Sequence, residues 1–171
     1  MIANSEKEKD EIVLSQRLRL ADDRIEHYLK GVIHYFKKLS LLDKQIKTYF
    51  KSGSKSGIAQ IARSQNESNI LFRPVGQLIF AEVIGALSSE YGSKNAFVYA
   101  KKIPISLNET PYNDVIWDSE NRRIFAAKNK GIASKLLQYM LGLEINQKEK
   151  LREKYSDLRD IENGRLPNKL L

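Results

Sequence analysis

Asn69-Ile70-Leu71-Phe72-Arg73-Pro74-Val75-Gly76-Gln77-Leu78-Ile79-Phe80-Ala81-Glu82-Val83-Ile84-Gly85-Ala86-Leu87 is the stretch whose reading decides the fold of this chain. Pro74 suits the first position of a helix, where its missing N–H is not needed. From there Val75, Leu78, Ile79, Phe80, Ala81, Val83, Ile84, Ala86 and Leu87 leave Gln77 and Glu82 as the only long polar side chains. A helix of that profile is either buried all round or spans a membrane. Arg73, Gln77 and Glu82 interrupt the run, so it falls short of the roughly 20 apolar residues of a spanning helix. The expectation is a mainly α protein, a helical bundle around a buried central helix at about 74–88.

Working backwards, Ile25, Tyr28, Leu29, Val32, Phe36 and Leu39 recur at steps of three and four and predict an amphipathic helix. Asp23 with Glu26 three residues on resembles a capping box at its start. Upstream, Ile12, Leu14, Leu18 and Leu20 alternate as in a strand, while Leu18 and Ala21 also extend the helical rhythm. Residues 1–20 are therefore read as an N-terminal segment, partly disordered or a helical extension, and 21–171 as a single helical domain. Ser40 and Asp43 predict a short helix over Leu41 to Phe50 with Leu42, Ile46, Tyr49 and Phe50 inward. The Gly/Ser-rich residues 51–57 read as a flexible loop. Gly53 and Gly57 enclose three residues where a phosphate loop needs four, so no nucleotide site is expected there. Ile58 to Arg63 is expected to make a helical turn.

Forwards, Ser88 to Gly92 reads as a turn. Ser93 opens a helix over Lys94 to Lys102, with Phe97, Val98 and Ile103 inward, and Pro104 stops it. Val115-Ile116-Trp117 and Arg123-Ile124-Phe125 flank a turn and predict a small β-hairpin near 115–125, with Trp117 as a core plug. Asn129 caps a helix over Lys130 to Leu141, closed by Gly142. Asn146 and Glu149 mark the start of a last helix, Gln147 to Glu162.

Charged residues make up 29% of the 171 and hydrophobic ones 42%, a globular balance. Cysteine is absent, which excludes disulfides, thiol nucleophiles and thiolate zinc sites. Without an apolar leader at its start, the chain reads as cytoplasmic, with no membrane partner. Its net charge of +8 favours an anionic partner. Residues 1–60 carry twelve Lys and Arg against eight acids, and 61–171 carry seventeen against thirteen, so the excess is not confined to one tail.

Catalysis finds no support: the chain holds neither a Gly-x-Ser-x-Gly elbow nor a His-Glu-x-x-His run. His27 and His34 share a helix face, and apart from Asp23 and Glu26 near His27 no acid completes a ligand set, so neither cofactor nor metal is expected. Arg73 sits against the positive end of the central helix. It is expected to pair with Glu82 or another acid; the alternative is that it shares an anion with the free N–H groups of Gly76 and Gln77. Arg122, Arg123, Lys128, Lys130 and Lys135 join a hairpin tip to a helix start, an arrangement that suits phosphate contacts or simply a solvated face. Tyr112 and Trp117 are candidates for base stacking beside them. A further basic set, Lys37, Lys38, Lys44, Lys47 and Lys51, carries the same two readings.

The run Ile70-Leu71-Phe72-Arg73-Pro74-Val75-Gly76-Gln77 and the apolar helix after it resemble the C-terminal part of the DGQHR-domain, DNA sulfur modification protein DndB-like family. Lys102-Ile103-Pro104, Trp117, Phe125-Ala126-Ala127, Leu137-Gln138-Tyr139-Met140-Leu141-Gly142 and the closing Leu166-Pro167 follow in a similar order. The helix from Asp23 to Phe36 is similar to the region upstream, so the likeness spans roughly residues 20–170. The Asp-Gly-Gln-His-Arg signature of that family is absent, and the chain is expected to be a C-terminal fragment or a shortened member. The resemblance implies a bacterial, DNA-associated protein linked to phosphorothioation, with transcription regulation by DNA binding as its type of role. The leading expectation is a non-catalytic DNA-binding accessory or regulatory domain. The alternative is a helical protein–protein interaction or oligomerisation module acting through the helix Ile25 to Leu39, as homo-oligomer or with another protein. A part of an enzyme completed by an upstream half is the third.

Overall fold

A computed structural model describes residues 22–53, 57–64, 68–162 and 164–171. The expectations for residues 1–20, the middle of the loop at 51–57, and the side chain of Asp23 lie outside the described residues. The chain is mainly α with one small β-hairpin. Helix α1 (Asp22–Leu39) leads to α2 (Lys44–Ser52), the short α3 (Ile58–Ala62) and a 3-10 turn at Ile70–Phe72. The central helix α4 (Pro74–Ala100) follows, then strands β1 (Trp117–Asp118) and β2 (Arg123–Ile124), a 3-10 turn at Ala127–Asn129, α5 (Lys130–Met140) and α6 (Lys148–Leu158).

The core is built where the opening stretch folds back on itself. Asn69 starts the 3-10 turn, accepting a hydrogen bond from Leu71 N at 2.9 Å. Ile70, Leu71 and Phe72 are thereby turned inward onto the first half of α4. Gly76 lies so close beneath this turn that a Cβ there would occupy the space of the Ile70 carbonyl and side chain. Glycine is required at that position for the approach. Val75, Ile79, Phe80, Val83, Ile84 and Leu87 are buried along α4. Helix α5 lies along them through Ala133, Leu136, Leu137 and Met140. Burying a side chain of this size contributes roughly 1.5–3 kcal/mol, so this seam dominates the stability.

Asn69 also ties α2 to the core. Its Nδ2 donates to Gln45 Oε1 at 2.8 Å and to Asp43 Oδ1 at 3.2 Å. Asp43 Oδ1 in turn accepts from Ile46 N at 2.9 Å. The helix cap is thus Asp43, not Ser40, whose Oγ donates back to Lys37 O at 2.7 Å. Helix α2 consequently starts three residues later than its hydrophobic pattern suggests, and Phe50 faces solvent.

Four further expectations are corrected. The turn expected at Ser88 to Gly92 is helical up to a single break at Gly92, whose φ of 77° and ψ of 152° leave the helical region. Val98 beyond that break is exposed. The central helix is not buried all round either: Leu78 and Glu82 reach solvent. At the far end of the chain, α6 starts at Lys148 without a side-chain cap from Gln147 and ends at Leu158, leaving Ile161 outside it and exposed. The end of α5 follows expectation. Gly142 N donates to Tyr139 O and Leu143 N to Gln138 O, both at 3.0 Å, with Gly142 at φ 81°. This is the paired closure that a left-handed glycine makes possible. Among the described residues no helix is long and apolar enough to cross a membrane.

Candidate nucleic-acid interface

Helix α5 is apolar at Ala133, Leu136, Leu137 and Met140 because those positions face α4, which turns Gly131 and Lys135 outward. Helix α6 buries Leu151 and Tyr155 and leaves Lys150 and Lys154, four residues apart, on a neighbouring face. Where the two helices meet they enclose a cleft of about 460 Å³. Lys128, Lys135, Lys150 and Lys154 line it, together with Asn129, Gln147 and others, and no carboxylate does. None of the four lysines forms an ion pair among the described residues. Like charges one helical turn apart, as in Lys150 and Lys154, destabilise a helix by a few tenths of a kcal/mol.

Neither bordering helix has a side-chain cap at its start. Asn129, expected to cap α5, instead donates from Nδ2 to Val115 O at 3.0 Å, pinning the turn to the hairpin. The first turns of both helices contribute residues to the cleft, so their partly positive ends add to the lysine charge.

The sequence-derived candidates separate into three places. Lys128 and Lys135 share the cleft. Lys130 does not line it, because its Nζ is 3.4 Å from Glu82 Oε1 and bridges α5 to α4. Arg122 and Arg123 sit at the hairpin turn and are exposed there. Arg123 Nε is 3.8 Å from Asp118 Oδ2. The backbone N–H and then the side-chain amide of Asn121, at 2.9 Å and 2.7 Å, hold the Asp118 carboxyl below its ordinary range, and Arg123 adds a smaller pull in the same direction. Lys150 and Lys154 were missed. Their i, i+4 spacing on the polar side of an amphipathic helix is visible in the sequence, but their meeting with Lys135 is not.

Among the described residues Arg73 does not pair with an acid, and Glu82 is engaged by Lys130. Its guanidinium lies 5.9 Å from the centre of the Trp117 ring, and Nη2 donates to Arg63 O at 3.0 Å. Burial, and then the neighbouring Arg63 charge, hold the guanidinium below its ordinary value. Arg63 itself donates from Nε to Phe72 O at 2.8 Å. The two arginines therefore staple α3 to the start of α4 through backbone carbonyls.

Tyr112 and Trp117 cannot stack on bases, since both are buried. The Tyr112 hydroxyl donates to Pro104 O, and Trp117 Nε1 to Asn108 Oδ1, each at 2.8 Å. Trp117 is the core plug its position suggested. Lys37, Lys38, Lys44, Lys47 and Lys51 spread over the end of α1 and along α2 without lining a cavity described here. His27 and His34 line a second cavity, of about 440 Å³, between α1 and α4. Among the described residues no three His, Asp or Glu side chains come together as a metal site. Compared with protein-family models, curated proteins and solved structures, the chain shows no match.

Proposed function

We propose that this protein is a cytoplasmic, non-catalytic DNA-associated accessory or regulatory protein that holds the phosphate backbone in the cleft between α5 and α6. The observation that supports this reading is the convergence of Lys128, Lys135, Lys150 and Lys154 on one cavity without a carboxylate. Lysines position a polyanion without reading its sequence, so the cleft accounts for affinity rather than sequence preference. The DndB-like resemblance favours DNA among polyanions and would place the protein beside phosphorothioate modification. Arg122 and Arg123 at the hairpin are secondary contacts in this reading, whereas Lys130 and Arg73 serve the fold.

The test is duplex DNA binding measured across a salt series. Each phosphate neutralised adds about −0.9 to the slope of log affinity against log salt. A Lys150→Gln/Lys154→Gln variant is expected to lower affinity and make that slope shallower by about 2, one unit for each lysine removed. A Lys44→Gln/Lys47→Gln variant is the control and keeps the wild-type slope. Binding that ignores salt, or that the cleft variant leaves intact, rules the proposal out.

A separate feature favours a second reading, a helical protein-interaction or oligomerisation module acting through Ile25 to Leu39. The apolar stripe of α1 is half in solvent: Ile25 is 43% exposed, Leu29 54%, Ile33 43% and Phe36 36%.

A further inference from the structure

The apolar arc of α1 is wider than its seat. Tyr35 and Leu39 face inward, Tyr35 against Phe97 of α4 with ring centres 6.3 Å apart. The adjoining stripe of Ile25, Leu29, Ile33 and Phe36 runs at steps of four, four and three and reaches solvent, with Phe36 at the rim of the cavity between α1 and α4. Steps of three and four suit a helix that packs lengthwise against another helix. Phe36 continues the patch onto α2, where exposed Phe50 meets it edge to face at 6.0 Å. A contiguous exposed patch across two helices is the mark of an interaction surface.

Charge identifies what covers it. Glu26 lies near the start of α1, and its last turn holds Lys37 and Lys38. At 100° per residue, Glu26, Lys30 and Lys37 run down one flank of the exposed stripe. A parallel copy would level the two Glu26 with each other and the two Lys37 with each other, leaving no contact between Glu26 and Lys37. An antiparallel copy, with its twofold axis near residues 30 and 31, sets Ile25 opposite Phe36 and Leu29 opposite Val32 and Ile33. Glu26 then falls within about two residues of the partner's Lys37, and the two helix dipoles oppose each other favourably. In the single chain Glu26 pairs with Lys30 at 2.8 Å, largely in solvent, a contact weak enough to be exchanged.

We infer that α1 is a homodimerisation helix, pairing antiparallel with α1 of a second copy of this chain. The inference rests on the interaction-module reading and names its partner; it is independent of DNA binding. A twofold interface uses each stripe residue twice.

Sedimentation equilibrium of the full chain, from low micromolar to sub-millimolar concentration, tests it. The expected result is a concentration-dependent dimer. Leu29→Glu is expected to raise its dissociation constant about 100-fold or more, because two buried leucines are lost at once. Fluorescence of the single, buried Trp117 confirms that the variant keeps its core. Glu26→Lys and Lys37→Glu each weaken the dimer, and the double exchange Glu26→Lys/Lys37→Glu restores it, as only antiparallel pairing allows. A monomer at every concentration overturns the second copy as occupant. If that monomer nevertheless binds a different protein, and loses it on Leu29→Glu, the interaction-module reading survives without the homodimer. A dimer indifferent to Leu29→Glu overturns both the stripe and the inference. A dimer broken by Leu29→Glu that the double charge exchange fails to restore overturns the antiparallel arrangement.

Discussion

Helices α1 and α4 both carry apolar residues at helical spacing, yet they end in different situations. Helix α4 has the 3-10 turn on one side and α5 on another, and its first half is almost wholly covered. Helix α1 touches the body through one edge of its apolar arc and leaves the rest in water. The difference lies in connection and closeness rather than in hydrophobicity. Gly76 lets the turn at Ile70 settle directly onto α4, and the chain reverses within a few residues to do it. Helix α1 has no such glycine-lined approach to its neighbour, and a cavity with His27 and His34 on its wall remains between them. A seam that is closed is held by its own packing; a seam that is open invites a partner.

The sharpest way to break this contrast is Gly76→Ala. The added methyl meets backbone, which cannot step aside, so a loss of about 3 kcal/mol or more is expected, at the upper end of overpacking costs. Urea unfolding followed by Trp117 fluorescence reads it; a loss below about 1 kcal/mol would mean the turn does not sit as closely as described. Next comes a matched pair. Leu136→Ala, in the closed seam, is expected to cost about 2–5 kcal/mol. Leu29→Ala, on the open stripe, is expected to stay within about 0.5 kcal/mol when unfolding is followed in dilute, monomeric solution. Equal effects would erase the distinction between the two helices.

Asp43→Ala is expected to cost about 1–2 kcal/mol, since it removes the cap on Ile46 N and one of the two bonds that Asn69 Nδ2 donates. Amide exchange at Ile46 should accelerate while exchange in α5 is unchanged.

The smallest effect belongs to Tyr35, which seats α1. Its hydroxyl is buried without a hydrogen-bond partner, and burial pushes its pKa from the model-compound 10.0 up to about 12. The folded state therefore keeps the proton where the unfolded chain has already lost it. The stabilisation is complete below the unfolded value and is lost as pH rises through the folded one. Tyr35→Phe is expected to be neutral or to stabilise by up to about 1 kcal/mol at neutral pH, because an unsatisfied hydroxyl disappears. It should also lessen the alkaline decline in stability. Burial also raises Tyr112, so the difference between wild type and variant is the quantity to follow in urea titrations on either side of pH 10.

Much of the fold could be read beforehand at the points where a residue acts locally. Pro74 starts α4, Gly142 closes α5 and Trp117 plugs the core, each through its own backbone or bulk. Side-chain caps were less legible. Asn129 and Ser40 have the right chemistry for capping, but a carbonyl elsewhere, at Val115 or Lys37, takes their hydrogen bond. The candidate cleft was half legible. Lys128 and Lys135 stand near each other in sequence, whereas Lys150 and Lys154 join them only because α6 turns back beside α5. Arg73 was misread because pairing with an acid is the usual expectation for arginine, and here Lys130 reaches Glu82 while Arg73 finds carbonyl oxygen and an indole face.

The amino-acid sequence by itself determined the helical class, the central apolar helix, the hairpin and the basic excess, because periodicity, chain breakers and charge are properties of neighbouring residues. Only the tertiary structure decided which lysines meet, which aromatic rings are sealed off and which half of the first helix's apolar arc stays in water. Those outcomes depend on the approach of segments far apart in the chain. That approach is set by the fit between surfaces, and no single stretch of sequence contains it.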